Sequence, residues 1–99
     1  SVCSVAVAAV VFDSHGIYSW GWNSSGANGY GEHAECAAIR RANRNRLSKS
    51  MIAVAGRRKR NMKVVVAFPC ADCQARLIKV GISTVWIQEK SGLWIKVGI

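Results

Sequence analysis

From Val5 to Phe12 the chain runs through β-forming residues, VAVAAVVF, turns at DSHG, and resumes as IYSWGW, where large side chains alternate with small or polar ones. Two such runs joined by a short polar turn predict a hairpin. NSSGANGYGE then has no periodicity and reads as a polar, Gly-rich loop. Ala34, Ala37, Ala38 and Arg41 follow three- and four-residue spacing, which predicts a helix over about residues 33–46. Its small alanines would let it sit close against a sheet.

MIAVAGRRKRNMKVVVAF reads as a strand, a basic turn and a second short strand, stopped by Pro69. Proline suits the first turn of a helix. CADCQARLIKVG places Leu77, Ile78 and Val80 on an apolar face and closes on Gly81 as a C-cap. ISTVWIQ predicts a further strand and LWIKVGI a short last one. The order β-β-α-β-α-β with a terminal strand predicts an α/β sandwich, one mixed sheet with helices packed on it. A strand that follows a helix in this order needs a crossover, so the later part of the sheet is expected to be parallel.

With 99 residues the expectation is a single domain, 1–99, whose core is small enough for a metal or self-association to add stability. Hydrophobic residues make up 51% and Pro occurs once, which excludes a disordered, collagenous or low-complexity chain. The apolar run near the start is far shorter than the roughly 20 residues of a membrane span. No basic segment precedes it as in a signal peptide. A cytoplasmic protein with no membrane partner is expected.

Charge changes this picture. Ten of the 14 Lys and Arg lie between Arg40 and Lys63, and no Asp or Glu occurs between Glu35 and Asp72. Such a block attracts anions, whether a nucleotide phosphate or a nucleic-acid backbone. It would also serve as a solvated positive face.

Candidate chemistry gathers at HAEC (residues 33–36) and PCADC (residues 69–73). A C-x-x-C pair in a cytosolic chain points to metal or redox chemistry. Zinc takes thiolate and imidazole ligands, and a catalytic site uses three protein ligands with the fourth position left to water. His33, Cys70 and Cys73 supply three. Glu35 has no place in a structural zinc site but suits a hydrolytic one, where a carboxylate moves protons. A thioredoxin-like pair would leave His33 and Glu35 without a role, and a structural site would need Cys36, which is expected to face the core. Cys3 is likewise read as a small core residue and His15 as a turn residue. Trp20, Trp86 and Trp94 are read as core or subunit-interface residues. Asp72 is a stabilising acid near a helix N-terminus.

H-A-E followed by P-C-A-D-C resembles the zinc-dependent cytidine and deoxycytidylate deaminase superfamily, with its H-x-E and P-C-x-x-C motifs. The resemblance implies a cytidine deaminase-like three-layer sandwich, with His33, Cys70 and Cys73 as ligands of one catalytic zinc and Glu35 as proton shuttle. It implies that Ala34 offers its backbone to a pyrimidine and that Asn23, in GWN, hydrogen-bonds the sugar or base. Trp22 beside it would line the pocket or stack on the base. The implied reaction replaces the exocyclic amine of cytosine by oxygen, releasing ammonia. The expected substrate is a free pyrimidine nucleoside or nucleotide, with one phosphate gripped by the basic region. The alternative is cytosine in single-stranded DNA or RNA, or less readily adenosine in tRNA, tracked by RRKRNMK and RRANRNR across Arg40–Lys63. A homo-oligomer is expected, because so small a sheet would leave apolar faces and edges open.

Overall fold

A computed structural model of the chain describes residues 5–25, 31–58 and 60–99. Cys3 and the middle of the predicted Gly-rich loop lie outside them. The expected hairpin is present as β1 (Val5–Asp13) and β2 (Gly16–Trp22), antiparallel, with Ala9 opposite Gly21 and Val11 opposite Ser19. Its turn is closed by the His15 N–H donating to Asp13 Oδ1 at 2.9 Å. Two short strands, β3 (Ser24–Ser25) and β4 (Gly31–Glu32), pair with each other and lead into α1 (Ala34–Arg41). The chain continues through α2 (Arg44–Leu47), β5 (Met51–Arg58), β6 (Val64–Val65), α3 (Ala71–Lys79), β7 (Thr84–Gln88) and β8 (Trp94–Gly98). The main sheet is ordered β2-β1-β5-β7-β8, with β6 paired to the end of β5.

β5 and β7 are parallel, as the crossover through α3 requires. β8, however, returns antiparallel. A tight turn, in which the Gly92 N–H donates to Glu89 O, can join only antiparallel neighbours. The helix expected over residues 33–46 is likewise two helices. Asn43 Oδ1 accepts from the Asn45 N–H at 3.0 Å, capping α2 and ending the run of α1 at Arg41. Gly81 follows α3 at φ +94°, a left-handed conformation open to glycine. Of the apolar face predicted there, Leu77 is buried and Val80 packs on the core, but Ile78 is exposed because the next helical position has already turned outward.

Period-two alternation sends Ala9, Val11, Ile52, Val54 and Val85 to one face of the sheet, where they meet Ala34, Ala38, Ala42, Leu47 and Leu77 in one cluster. The approach of α1 is as close as its alanines suggested. A Cβ on Gly21 would lie 2.5 Å from Ala38 N and 2.7 Å from Ala34 O. Ser19 Oγ donates to Ala38 O at 2.7 Å across the same contact. The described helices thus form one layer on the sheet. On the opposite face Trp20 is 58% exposed and Trp94 46%, so the core does not take them, while Trp86 is half-buried and donates to Met51 Sδ.

α2 is tied to the hairpin by charge. Arg46 donates from Nε and Nη2 to the two carboxylate oxygens of Asp13, each at 2.8 Å, and its guanidinium lies 3.8 Å over the Tyr18 ring. This bidentate bond is the largest reason why the Asp13 carboxyl is held down at about 2. No helix among the described residues is long and apolar enough to cross a membrane.

Candidate active site

His33 and Cys70 occupy the N-cap positions of α1 and α3, and neither side chain caps its own helix. Both are therefore free to point away from the helix they start. Gln74 fixes the second turn by donating from Nε2 to Pro69 O at 2.8 Å. The result is a convergence of ligand atoms. His33 Nδ1 lies 3.2 Å from Cys73 Sγ and 3.7 Å from Cys70 Sγ, and all three atoms lie within 4.8 Å of one another.

These separations suit a tetrahedral zinc ion, whose bond lengths place neighbouring N and S ligands about 3.6 Å apart and two S ligands about 3.8 Å apart. The donor set also suits it, one imidazole with two thiols. Burial first, then the neighbouring thiols of Cys36 and Cys70 and the charge of Glu35, push the Cys73 thiol up. A cation in the cluster reverses that preference, since it favours the thiolate outright.

Cys36 is not in the core as expected. It is half-buried, with Sγ 3.4 Å from Cys73 Sγ. Being three residues after His33, it lies on the same face of α1 and turns toward α3 with it. The ligand atoms that converge within 4.8 Å of one another are those of His33, Cys70 and Cys73.

Glu35 is 5% exposed and borders a pocket of about 210 Å³ together with His33, Ala34, Asn23 and Cys70. Val7, Ala67 and Phe68 complete its lining, which sequence reasoning missed. Phe68 stands directly before Pro69 and Cys70 and was open to notice. Val7 reaches the pocket only through the pairing of β1 with Asn23.

Asn23 is placed at this pocket by its own side chain. Oδ1 accepts from the Val7 N–H at 3.0 Å and Nδ2 donates to Val5 O at 2.8 Å, so the amide fastens the end of β2 to β1. Trp22 is not brought to the same pocket. Alternation along β2 turns Gly21 toward α1 and Trp22 toward the opposite face, where Arg41 sits 4.4 Å over its ring. There it borders a neighbouring depression with Arg57 and Met62, which shares Val7 and Asn23 with the first pocket. Asp72 is exposed and pairs with Arg76 at 3.6 Å, four residues on.

Residues 2–89 match the family described as the cytidine and deoxycytidylate deaminase zinc-binding region. No curated protein matches the chain. Among solved structures it is similar to a cytidine deaminase from Burkholderia pseudomallei at 20% identity and a TM-score of 0.70, covering 95% of this chain and 75% of that one. It is also similar to a cytidine deaminase from Mycobacterium tuberculosis, at 22% identity and a TM-score of 0.55, covering 88% of this chain and 68% of that one. At these identities the likeness is one of fold. Because the family match spans both HAEC and PCADC, the chain belongs to the zinc-dependent cytidine and deoxycytidylate deaminases.

Proposed function

We propose that this protein hydrolyses the exocyclic amine of a cytosine ring carried by free cytidine, deoxycytidine or the corresponding monophosphate. One observation carries the reading. The buried Glu35 shares a pocket of about 210 Å³ with the ligand residues His33 and Cys70, smaller than the roughly 300–1,000 Å³ of sites for drug-sized ligands.

In this reading His33, Cys70 and Cys73 hold one zinc ion. Its contribution is acidification of a water molecule, towards a pKa of about 7. Glu35 takes a proton from the attacking water and returns it to the departing amine. The C4–N bond breaks, a C4–O bond forms, and one water is exchanged for one ammonia. Burial of Glu35 keeps bulk water from competing for that proton. Ala34, 1% exposed, offers backbone to the ring. Asn23 has one N–H and one lone pair left after its two bonds to β1, enough to orient a sugar hydroxyl. Phe68, at the rim and 44% exposed, gives the base an apolar wall.

The test is ammonia release by zinc-loaded protein from deoxycytidine, cytidine, dCMP and a cytosine-containing oligonucleotide side by side. Turnover of the monomers supports the reading, and turnover of the oligonucleotide alone contradicts it. That second substrate is favoured by one observation, a cationic cleft near the same pocket. The reading includes a homo-oligomer, which a sedimentation mass of one subunit at micromolar concentration would contradict.

A further inference from the structure

The basic block over Arg40–Lys63 divides in the fold. Arg41 is drawn over Trp22 and Arg46 is committed to Asp13. Arg58, Arg60 and Lys63 instead gather around the β5–β6 turn, and Lys90 joins them from the β7–β8 turn. With Asn61 and Val64 they line an open cleft of about 520 Å³. Lys90 lies far outside the block in sequence. It arrives because β7 runs parallel to β5, so that both strands end at one edge of the sheet.

Among the described residues no carboxylate lines this cleft. The ion pairs of Asp13 with Arg46 and of Asp72 with Arg76 lie elsewhere. The neighbouring Glu89 accepts from Ser91 Oγ at 2.6 Å. Two backbone hydrogen bonds tie the described residues of the β5–β6 turn together. The Arg58 N–H donates to Lys63 O at 2.9 Å, the Met62 N–H donates to Arg58 O at 2.7 Å, and Met62 is held at φ +59°. Four exposed cations on two turns repel one another, and an anion between them relieves that repulsion.

The cleft adjoins the metal pocket. Val64 lines the first and Ala67 the second, so at most about 11 Å of chain separates them. Met62, between Asn61 and Lys63 on the turn, exposes an apolar side chain at 65%, and Phe68 at the rim of the metal pocket exposes one at 44%. Cations that follow a backbone, interleaved with side chains on which unpaired bases rest, are the means by which single strands are held.

We propose that the cleft formed by Arg58, Arg60, Lys63 and Lys90 binds the backbone phosphates of a single-stranded nucleic acid. The cations are spread over an open cleft on two turns, which suits successive phosphates better than a single buried one. This surface is separate from the deamination chemistry and does not require it.

The experiment titrates zinc-loaded full chain into fluorescein-labelled oligothymidylate of about 12 nucleotides, within the usual span of a single-strand site, between about 50 and 200 mM salt. Binding is expected to weaken with salt by a log–log slope of about 0.7 per phosphate contact. Changing Arg58→Glu, Lys63→Glu and Lys90→Glu together should weaken binding by at least about tenfold and flatten that slope by about 2. The milder Arg58→Gln and Lys63→Gln pair should move both in the same direction, with an unchanged melting temperature. Deoxycytidine turnover should stay at the wild-type level in all of them. No binding by the wild-type chain at low salt, or equal binding by the charge-reversed variant, overturns the proposal. So does displacement of the oligonucleotide by an equimolar amount of inorganic pyrophosphate, which would make the cleft a small-anion site. Thymine has no amine to lose, so failure here leaves the cytosine reading standing, and absence of ammonia release leaves this one standing.

Discussion

His33 Nδ1 and Cys73 Sγ approach to 3.2 Å although 40 residues separate them. The contact exists because two helices open at the same edge of one sheet. α1 is set there by Gly21 and Ser19 beneath it, and α3 by the crossover between β5 and β7. Each helix contributes its cap residue, His33 or Cys70, and a thiol from the following turn, Cys36 or Cys73. A metal that joins these ends links α1 directly to α3, so its removal should lower the melting temperature as well as abolish activity.

Zinc affinity should rise with pH. Burial and the adjacent thiols hold the Cys73 proton on well above the usual thiol range, and binding must release it. Chelator competition between about pH 6 and pH 8 should show tighter binding at the higher value. Equal affinity at both would mean that Cys73 does not bind as a thiolate.

Gly21→Ala should destabilise by about 1–3 kcal/mol, as overpacking does, because the new Cβ would meet Ala38 N at 2.5 Å and the Ala37 Cβ at 2.7 Å. Denaturant unfolding measures this. A variant as stable as the wild type would show that α1 can lift from β2 without loss.

Asp13 links stability to acid. Its carboxyl lies at about 2 in the folded chain against an ordinary value of 3.8, chiefly through the Arg46 bond. A depressed value adds stability above the ordinary carboxylate range, and this is lost as pH falls through about 2. Asp13→Asn should therefore be less stable than wild type at neutral pH. The gap should close between about pH 4 and pH 2. A gap that persists unchanged in acid would remove the ion pair from the account.

Asn23→Ala should lose two hydrogen bonds to β1, about 1–3 kcal/mol together, and raise KM for deoxycytidine. Trp22→Ala should raise that KM less, since Trp22 lies outside the pocket that holds Glu35 and meets Asn23 only at a neighbouring depression. If the two variants changed KM equally, the division of roles between these neighbours would fail.

Much of this site is written locally and was legible. H-x-E and P-C-x-x-C each place ligands at a helix start, and the β-forming runs of β1 and β5 were read as strands of the sheet. What escaped depends on neighbours distant in sequence or on a competing local bond. The break before Asn43 follows from a side chain bonding the backbone two residues on. Cys36 was read as apolar core, although its three-residue spacing from His33 already put it on the ligand face. Trp22 was read toward the substrate because it stands beside Asn23, but the two meet only at a neighbouring depression, and Trp22 stays outside the pocket that holds Glu35. The grouping of Lys90 with Arg58 needs the parallel register of β5 and β7, which no local pattern states.

The central claim is that Glu35 moves protons beside a zinc ion that it does not hold. Glu35→Gln, purified alongside wild type without chelator, measures this most directly through zinc per subunit and ammonia released from deoxycytidine. The account predicts one zinc in both proteins and loss of at least about two orders of magnitude in rate for the variant. An unchanged rate with full zinc would contradict it, and so would a wild-type protein that carries no zinc.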